Sequence, residues 1–432
     1  MKKTILFWLR RDLRLSDNTA LAEASRTGAK VLPVFVFDPN DPVDPFDGNG
    51  HRLRFKLKAL RQMAEQLAKA GKAITVTVGD PAKAIPELAK EHQAQAVFAN
   101  RRYEPDSVAQ DEEVKKQLEQ AGVSFQTHKD AVIFEGKEIV NGQGEPYKVF
   151  TPFSKMWNAS LDEDQLDGQA RTASLGALLD GPVTFPDNRA LPFDTEPFML
   201  PAIRREKKLL ANYADTRDFP ATDGTTRWSE HLRHGTLSPR EAFRMAKETN
   251  AKLWTELIWR EFYFMVMDRF PHSMENSFKT QYDNIRWDND EALFKAWTEG
   301  KTGFPIVDAG MRELNNTGYM HNRLRMVTAS FLTKSLLIDW RWGEAYFAEK
   351  LADYEPASNV GGWQWAAGTG TDAQPYFRIF NPDSQAKRWD PDGEYINKWV
   401  PELNSLDYPQ PIIDYKASRQ RALDRYKQAL NP

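Results

Sequence analysis

Thr4-Ile5-Leu6-Phe7-Trp8-Leu9, running straight into Arg10-Arg11-Asp12-Leu13-Arg14-Leu15-Ser16-Asp17-Asn18, is the stretch on which the fold turns. Six apolar, β-branched or aromatic residues in a row read as a strand buried on both faces, and the charged run after them ends it. The pattern recurs at Val31–Phe37, Ile74–Val78, Ala96–Ala99 and Val123–Thr127. Helical spacing fills the gaps, as in Arg52–Ala70 and Ser107–Gln120. Strand and helix in alternation predict an α/β domain over residues 1–128, with a five-stranded parallel sheet. Such sheets bind ligands at the C-terminal ends of their strands. No GxGxxG or Walker loop follows the first strand, which argues against phosphate sites of those kinds. The three arginines there read as well as an internal Arg–Asp network.

Outward from this domain the pattern changes. Residues 129–195 are rich in Gly, Pro, Asp and Asn and read as a connector, partly helical around Phe153–Trp157. Residues 196–432 are mostly helical in spacing: Ala242–Lys247, Lys252–Asp268, Glu291–Glu299, Ile306–Asn315, Asn322–Asp339 and Trp342–Ala352. Ser238-Pro239 reads as an N-cap followed by Pro at the first helical position. Composition narrows the classes. With 28% charged and 41% hydrophobic residues the 432-residue chain is globular rather than disordered. It has no Cys, which removes disulfides and thiol catalysis, and its seven His are scattered, so no metal site is expected. Arg10, Arg11 and Asp12 interrupt the first apolar run too early for a signal peptide, and no stretch reaches a membrane span, so a cytoplasmic monomer is the expectation. Net charge is −3, and residues 201–432 hold 32 Lys+Arg against 32 Asp+Glu, so any nucleic-acid contact is a local patch.

Eleven of the 13 Trp follow residue 200. In Gly361-Gly362-Trp363-Gln364-Trp365 two stand beside a Gly pair, a composition suited to a flat ligand, though a buried helix start with two core aromatics is the simpler reading of this segment alone. Glu256, Trp259, Arg260 and Tyr263 share one helix face, where they can hydrogen-bond, stack on and neutralise a nucleotide; an ordinary Glu–Arg pair beside a core Trp is the simpler alternative. In Met320-His321-Asn322-Arg323-Leu324-Arg325-Met326, His321 is a candidate acid or base, though a lone His is more often structural. Thr225-Thr226-Arg227-Trp228-Ser229 is a hydroxyl-rich turn that suits phosphate oxygens or a helix cap. Many Trp and Arg without acid–base machinery suggest chemistry carried by a cofactor.

Five segments together resemble the photolyase/cryptochrome flavoproteins, and most closely the class I cyclobutane pyrimidine dimer (CPD) photolyases. They are Arg10–Arg14, Glu256–Tyr263, Gly303-Phe304-Pro305-Ile306-Val307-Asp308-Ala309, Met320–Met326 and Gly361-Gly362-Trp363-Gln364-Trp365-Ala366-Ala367. The resemblance implies a Rossmann-like antenna domain and an all-helical domain that binds FAD. It implies FAD contacts from Tyr213, Thr225, Thr226, Arg227, Trp228, Ser229, Trp254, Asn322, Arg325, Asp353, Glu355 and Asn359, with Asn359 opposite flavin N5 and Arg325 paired to Asp353. It places the lesion, in UV-damaged DNA, against Glu256, Asn322 and Met326, between Trp259 and Trp365, with Arg260, Arg323 and Arg378 near the DNA backbone. Trp363, Trp340 and Trp287 match an electron-transfer chain. The implied reaction passes an electron from light-excited FADH⁻ to the dimer, splits two C–C bonds and returns the electron.

The chain departs from the family pattern at Glu355, where Asp is usual, at Thr226, Trp228 and Val360, and in a short loop after Leu403. Asp106, Ser107 and Met274 stand where folate-binding relatives carry an Asn-Glu pair and a Lys, so a folate antenna is not expected; a deazaflavin, a second flavin or no antenna stay open. The rival reading is a photosensory cryptochrome without repair, against which the end of the chain at Pro432 is taken to speak. A (6-4) photolyase is disfavoured because its pocket histidines are replaced by Asn322 and Met326.

Overall fold

In the computed structural model, which describes residues 3–196 and 198–430, the apolar runs form parallel strands. They are β1 (Thr4–Leu9), β2 (Lys30–Phe37), β3 (Ile74–Val78), β4 (Ala94–Asn100), β5 (Ser124–His128) and β6 (Val183–Thr184). The order is β5-β4-β1-β2-β3-β6. Five strands were expected and six are present. The sixth pairs only Ile74↔Val183 and Thr75↔Thr184, too few residues to show a period, and lies beyond the run of alternating elements. Along β1 the side chains divide by parity. Ile5, Phe7 and Leu9 join one buried cluster and Leu6 and Trp8 the other. Each such side chain taken out of water contributes roughly 1.5–3 kcal/mol, which is why a continuous apolar run forms a central strand.

The chain divides into two compact units that do not follow chain order. The first comprises Met1–Ile139, Met156–Arg205 and Arg227–Leu257, and the second Val140–Lys155, Glu206–Thr226 and Ile258–Pro432. Much of the stretch read as a connector therefore packs within the first unit. At the switch point between β1 and β4, the arginine run forms an internal network. Arg10 donates to Asp111 at 2.6 Å, and Asn100 donates to Asn18 and Asp12 at 2.9 and 2.5 Å. Gly235, at φ +71°, lets the chain pass against Arg11 and Asp12, where a Cβ would overlap their backbone.

The second unit is helical. The Asn322–Asp339 spacing predicts one helix, and the structure divides it. An α-helix covers Asn322–Ser330, a π-turn covers Phe331–Ser335, and Leu337 then takes φ +53°. The wide turn keeps every side chain from Phe331 to Ser335 buried, so the hydrophobic pattern runs on while the helix does not. The next helix, Trp340–Lys350, starts from an Asp339 cap. It packs with Pro356–Ala367 and Pro305–Thr317 in a core that includes Trp297, Phe331, Trp340, Phe347 and Trp363. The Gly303–Ala309 motif is structural. Buried Asp308 accepts from Thr302 N–H and O–H (2.8 and 2.6 Å), Gly303 N–H (3.0 Å) and Tyr408 O–H (2.6 Å). No described helix is long and apolar enough to cross a membrane.

Candidate active site

The site is built on the helix Pro356–Ala367. Pro356 supplies the preset φ of a first helical residue, and Glu355 caps it. The Glu355 carboxylate accepts from Ala357 N–H (3.1 Å), Ser358 N–H (3.0 Å) and the Ser358 hydroxyl (2.9 Å). The extra methylene relative to Asp thus still reaches the free amides of the first turn. Asn359 and Trp363 lie one turn apart on a shared face, whereas Trp365 is two residues on, about 200° round the helix. Trp363 is buried, with its ring edge-on to Phe347 at 4.9 Å and Trp297 at 6.0 Å. Close approach of the preceding helix, Trp340–Lys350, requires Gly343, where a Cβ would fall on the Trp363 ring. Trp365 is half-buried.

Asn359 is oriented by a residue the sequence did not single out. Its amide NH₂ donates to the Glu344 carbonyl (3.2 Å) and carboxyl (2.9 Å). The amide oxygen accepts nothing from the described residues in this assignment. Burial raises the Glu344 pKa, and the hydrogen bonds from Asn359 and Tyr354 only partly oppose it. Arg325 donates through one nitrogen to both Asp353 oxygens, at 3.0 and 2.9 Å. Burial works against the Arg325 charge, but Asp353 outweighs it and the guanidinium pKa is raised. His321 is a cap: its Nδ1 accepts from Arg323 N–H at 3.2 Å, while Nε2 is buried without a partner. Burial lowers its pKa to about 4, so near neutral pH it is an uncharged imidazole and no general acid.

Other residues of the second unit carry the surface chemistry. Asn322 is exposed, its amide 3.8 Å from Met326 Sδ, one turn away. Trp259 lies flat on Phe150, centroids 3.7 Å apart and planes 5° apart, which fixes the indole and covers one face. Phe150 sits in the presumed connector and was not anticipated. The Arg260 guanidinium lies 4.4 Å over Phe264. Arg323 pairs with Asp218 at 2.7 Å and lies 4.3 Å over Trp389. Arg378 is exposed, and its carbonyl accepts from Gln374 Nε2 (2.6 Å) and Lys334 Nζ (3.1 Å). Trp340 is buried and Trp287 half-buried, both against the core that holds Trp363. Tyr213 opens the short helix Tyr213–Thr216, and Thr225 lies 3.5 Å from the Tyr319 hydroxyl; Thr226 is buried.

Arg227, Trp228, Ser229, Trp254 and Glu256 belong to the first unit. Arg227 takes φ +50°. Trp228 is buried, its indole donating to the Arg204 carbonyl at 2.8 Å, and Ser229 begins the helix Ser229–His234. Trp254 stands edge-on to Phe243 (5.0 Å) and Trp157 (5.5 Å) and donates to Asn158 at 2.9 Å. Glu256 pairs with Lys252 at 2.9 Å, one turn back.

A model described as "FAD binding domain of DNA photolyase" matches residues 253–407, and one described as "DNA photolyase" matches residues 5–171. A "Deoxyribodipyrimidine photo-lyase" of Escherichia coli K12 is 38% identical, covering 99% of both chains. This chain belongs to the photolyase/cryptochrome family. A second photolyase relative, from Synechococcus, is 36% identical over 99% of this chain and 97% of its own. Among solved structures, a bacterial class III photolyase from Agrobacterium tumefaciens superposes with TM-score 0.86 at 34% identity, covering 100% and 98% of the two chains. An archaeal photolyase from Sulfolobus tokodaii, solved with two FAD molecules, gives 0.85 at 33%, covering 98% and 100%. A Synechocystis cryptochrome gives 0.83 at 27%, covering 98% and 99%.

The chain is thus a flavoprotein with the family's FAD-binding domain, and its residues fit that group. An amide held by Glu344 presents an acceptor oxygen, the polarity a protonated flavin nitrogen requires. Arg325 and Asp353 supply a neutralised ion pair. The Trp363 indole N–H is buried without a partner, beside rings rather than charges.

Proposed function

We propose that this protein uses light to repair cyclobutane pyrimidine dimers in DNA. The observation that carries the reading is the Asn322–Met326 pair. The lesion side of the helix Asn322–Ser330 presents an amide and a thioether in contact, while its one histidine is turned inward as a neutral cap. A surface without a titrating group suits a lesion opened by electrons alone. Bound FAD would supply the light-driven one-electron chemistry by which a cyclobutane dimer reverts to two pyrimidines. Asn359 would hold the flavin with a neutral amide, and Arg325 with Asp353 would set the local field without net charge. Trp259, backed by Phe150, and Trp365 would stack on the extruded bases; a dimer is poorly stacked already, so extrusion costs little. Glu256 would hydrogen-bond the lesion, with Asn322 and Met326 against it. Arg260, Arg323 and Arg378 would face phosphates, which guanidinium suits. Trp363, Trp340 and Trp287 would restore the flavin to its reduced state.

A Glu256→Gln variant tests the lesion contact. FAD content is expected to stay at the wild-type level while repair yield under light falls several-fold, with dimer consumed per photon as the measure. Loss of FAD from that variant would assign Glu256 to the cofactor instead. The relatives include both photolyases and a cryptochrome, and the Asn322–Met326 surface with its flanking Trp and Arg favours repair over signalling.

A further inference from the structure

We propose that Lys334 is a positioning residue for damaged DNA: from the core it ties down the turn that carries Arg378, and so sets where the Arg378 guanidinium meets a phosphate. The inference rests on the reading above that Arg378 faces the DNA backbone. Lys334 lies in the π-turn Phe331–Ser335 and is fully buried. The helices Asn322–Ser330, Trp340–Lys350, Pro356–Ala367 and Tyr415–Leu430 pack against that turn. None of them supplies a carboxylate to Lys334. Its ammonium donates to the Arg378 carbonyl at 3.1 Å, its one partner among the described residues. Burial lowers its pKa to about 7, and Arg378 adds to the fall. A buried ammonium with a single neutral acceptor weakens a fold, so stability does not account for Lys here, where an apolar side chain of similar length would pack without that loss.

What the bond fixes is the turn Pro375–Arg378. The Arg378 N–H donates back to the Pro375 carbonyl at 2.9 Å, and Gln374 Nε2 donates to the Arg378 carbonyl at 2.6 Å. Both bonds close the segment on itself and travel with it. Anchorage comes from outside the segment. Tyr376 lies flat on buried Tyr426, centroids 5.6 Å apart and planes 9° apart, and Lys334 reaches the Arg378 carbonyl. Of these two anchors Lys334 acts at Arg378 itself, and a charged donor makes the stronger bond.

Arg378 depends on this anchorage more than Arg260 and Arg323 do. Arg323 is held by Asp218 and Trp389, and Arg260 lies over Phe264. The exposed Arg378 guanidinium has no partner among the described residues, so its backbone decides the region it can reach. Phe377 beside it is exposed as well. The turn therefore presents an open aromatic ring and an unpaired guanidinium together, groups that suit a base and a phosphate.

The test measures binding, in the dark, of the full FAD-loaded chain to a duplex that holds one thymine cyclobutane dimer, across a salt series. Arg378→Gln should weaken binding several-fold and flatten the dependence of log K on log salt by about one unit. Lys334→Met keeps the buried stem and removes the donor. It should lose most of the same affinity and slope with FAD content unchanged, and the double variant should bind no more weakly than Arg378→Gln. Wild-type affinity and slope in Lys334→Met, or losses that multiply in the double variant, would overturn the proposal. Wild-type binding by Arg378→Gln would instead overturn the reading on which it rests. Hydrogen exchange without DNA then decides the anchoring: Lys334→Met should speed exchange of the Arg378 amide and leave the helix Asn322–Ser330 unchanged. Unchanged exchange at Arg378 would show that Lys334 anchors nothing.

Discussion

Two sets of buried charges, one in each unit, are handled differently. In the first, Asp44 accepts from Arg52 (2.6 Å), Lys56 (2.6 Å) and Arg233 (2.8 Å), all buried. Burial alone would raise its pKa, yet Arg233, Lys56 and Arg52 together hold it well below the usual carboxylate range. Asp130 is likewise held down, against burial, by Arg14 and Arg240. In the second unit, Glu344 meets an amide and a phenol, and Lys334, fully buried, donates to the Arg378 carbonyl at 3.1 Å. There burial wins: the Glu344 pKa goes up, and that of Lys334 comes down to about 7, with Arg378 adding to the fall. Paired charges fix a scaffold in one state. Groups governed by burial leave the surroundings of the aromatic core low in charge, which suits a site where single electrons move.

Breaking a pair in the first unit should have the largest effect. Asp44→Asn leaves three buried cations around a neutral amide and is expected to cost about 3–5 kcal/mol in urea unfolding. A cost well under 1 kcal/mol would mean that water already screens the cluster. Lys334→Met should do the opposite, raising stability by roughly 2 kcal/mol below pH 7, because it removes a buried ammonium that pairing does not offset. The folded pKa of Lys334 lies near 7 and its ordinary value is 10.5, so in that window the unfolded chain binds more protons and wild-type stability rises with pH. The advantage of Met should therefore shrink between pH 7 and 10.5. A pH-independent difference would show that Lys334 is neutral or solvated throughout.

His321 should show an effect of similar size and the same origin. Its pKa falls from an ordinary 6.5 to about 4, so the neutral cap contributes fully above pH 6.5. As pH drops toward 4 the unfolded chain takes up the proton first, and stability should decline by roughly 2 kcal/mol. His321→Asn, which keeps a capping acceptor, should flatten that part of the pH profile. An unchanged slope would assign the acid sensitivity to other groups.

Much of this was legible in the sequence, for reasons particular residues make plain. The strands β1 to β4 announce themselves as apolar runs and β5 as a short β-branched and aromatic one, whereas Val183–Thr184 is too short to show a period. Asn322–Asp339 reads as one helix because a π-turn leaves its hydrophobic pattern intact. The resemblance named Asn359 and Trp259, but not Glu344 and Phe150, which orient them. A lone Glu between aromatic residues and a Phe in a Gly- and Pro-rich stretch carry no periodic signal, and only folding brings them into place. Glu355 stood out as a departure, and its capping role was readable from Pro356 at the first helical position.

The most direct test illuminates the reduced, FAD-loaded protein with an oligonucleotide that holds a single thymine cyclobutane dimer. Intact thymines should accumulate in proportion to light dose, with none in the dark. Full FAD occupancy with no thymine recovered would contradict the account.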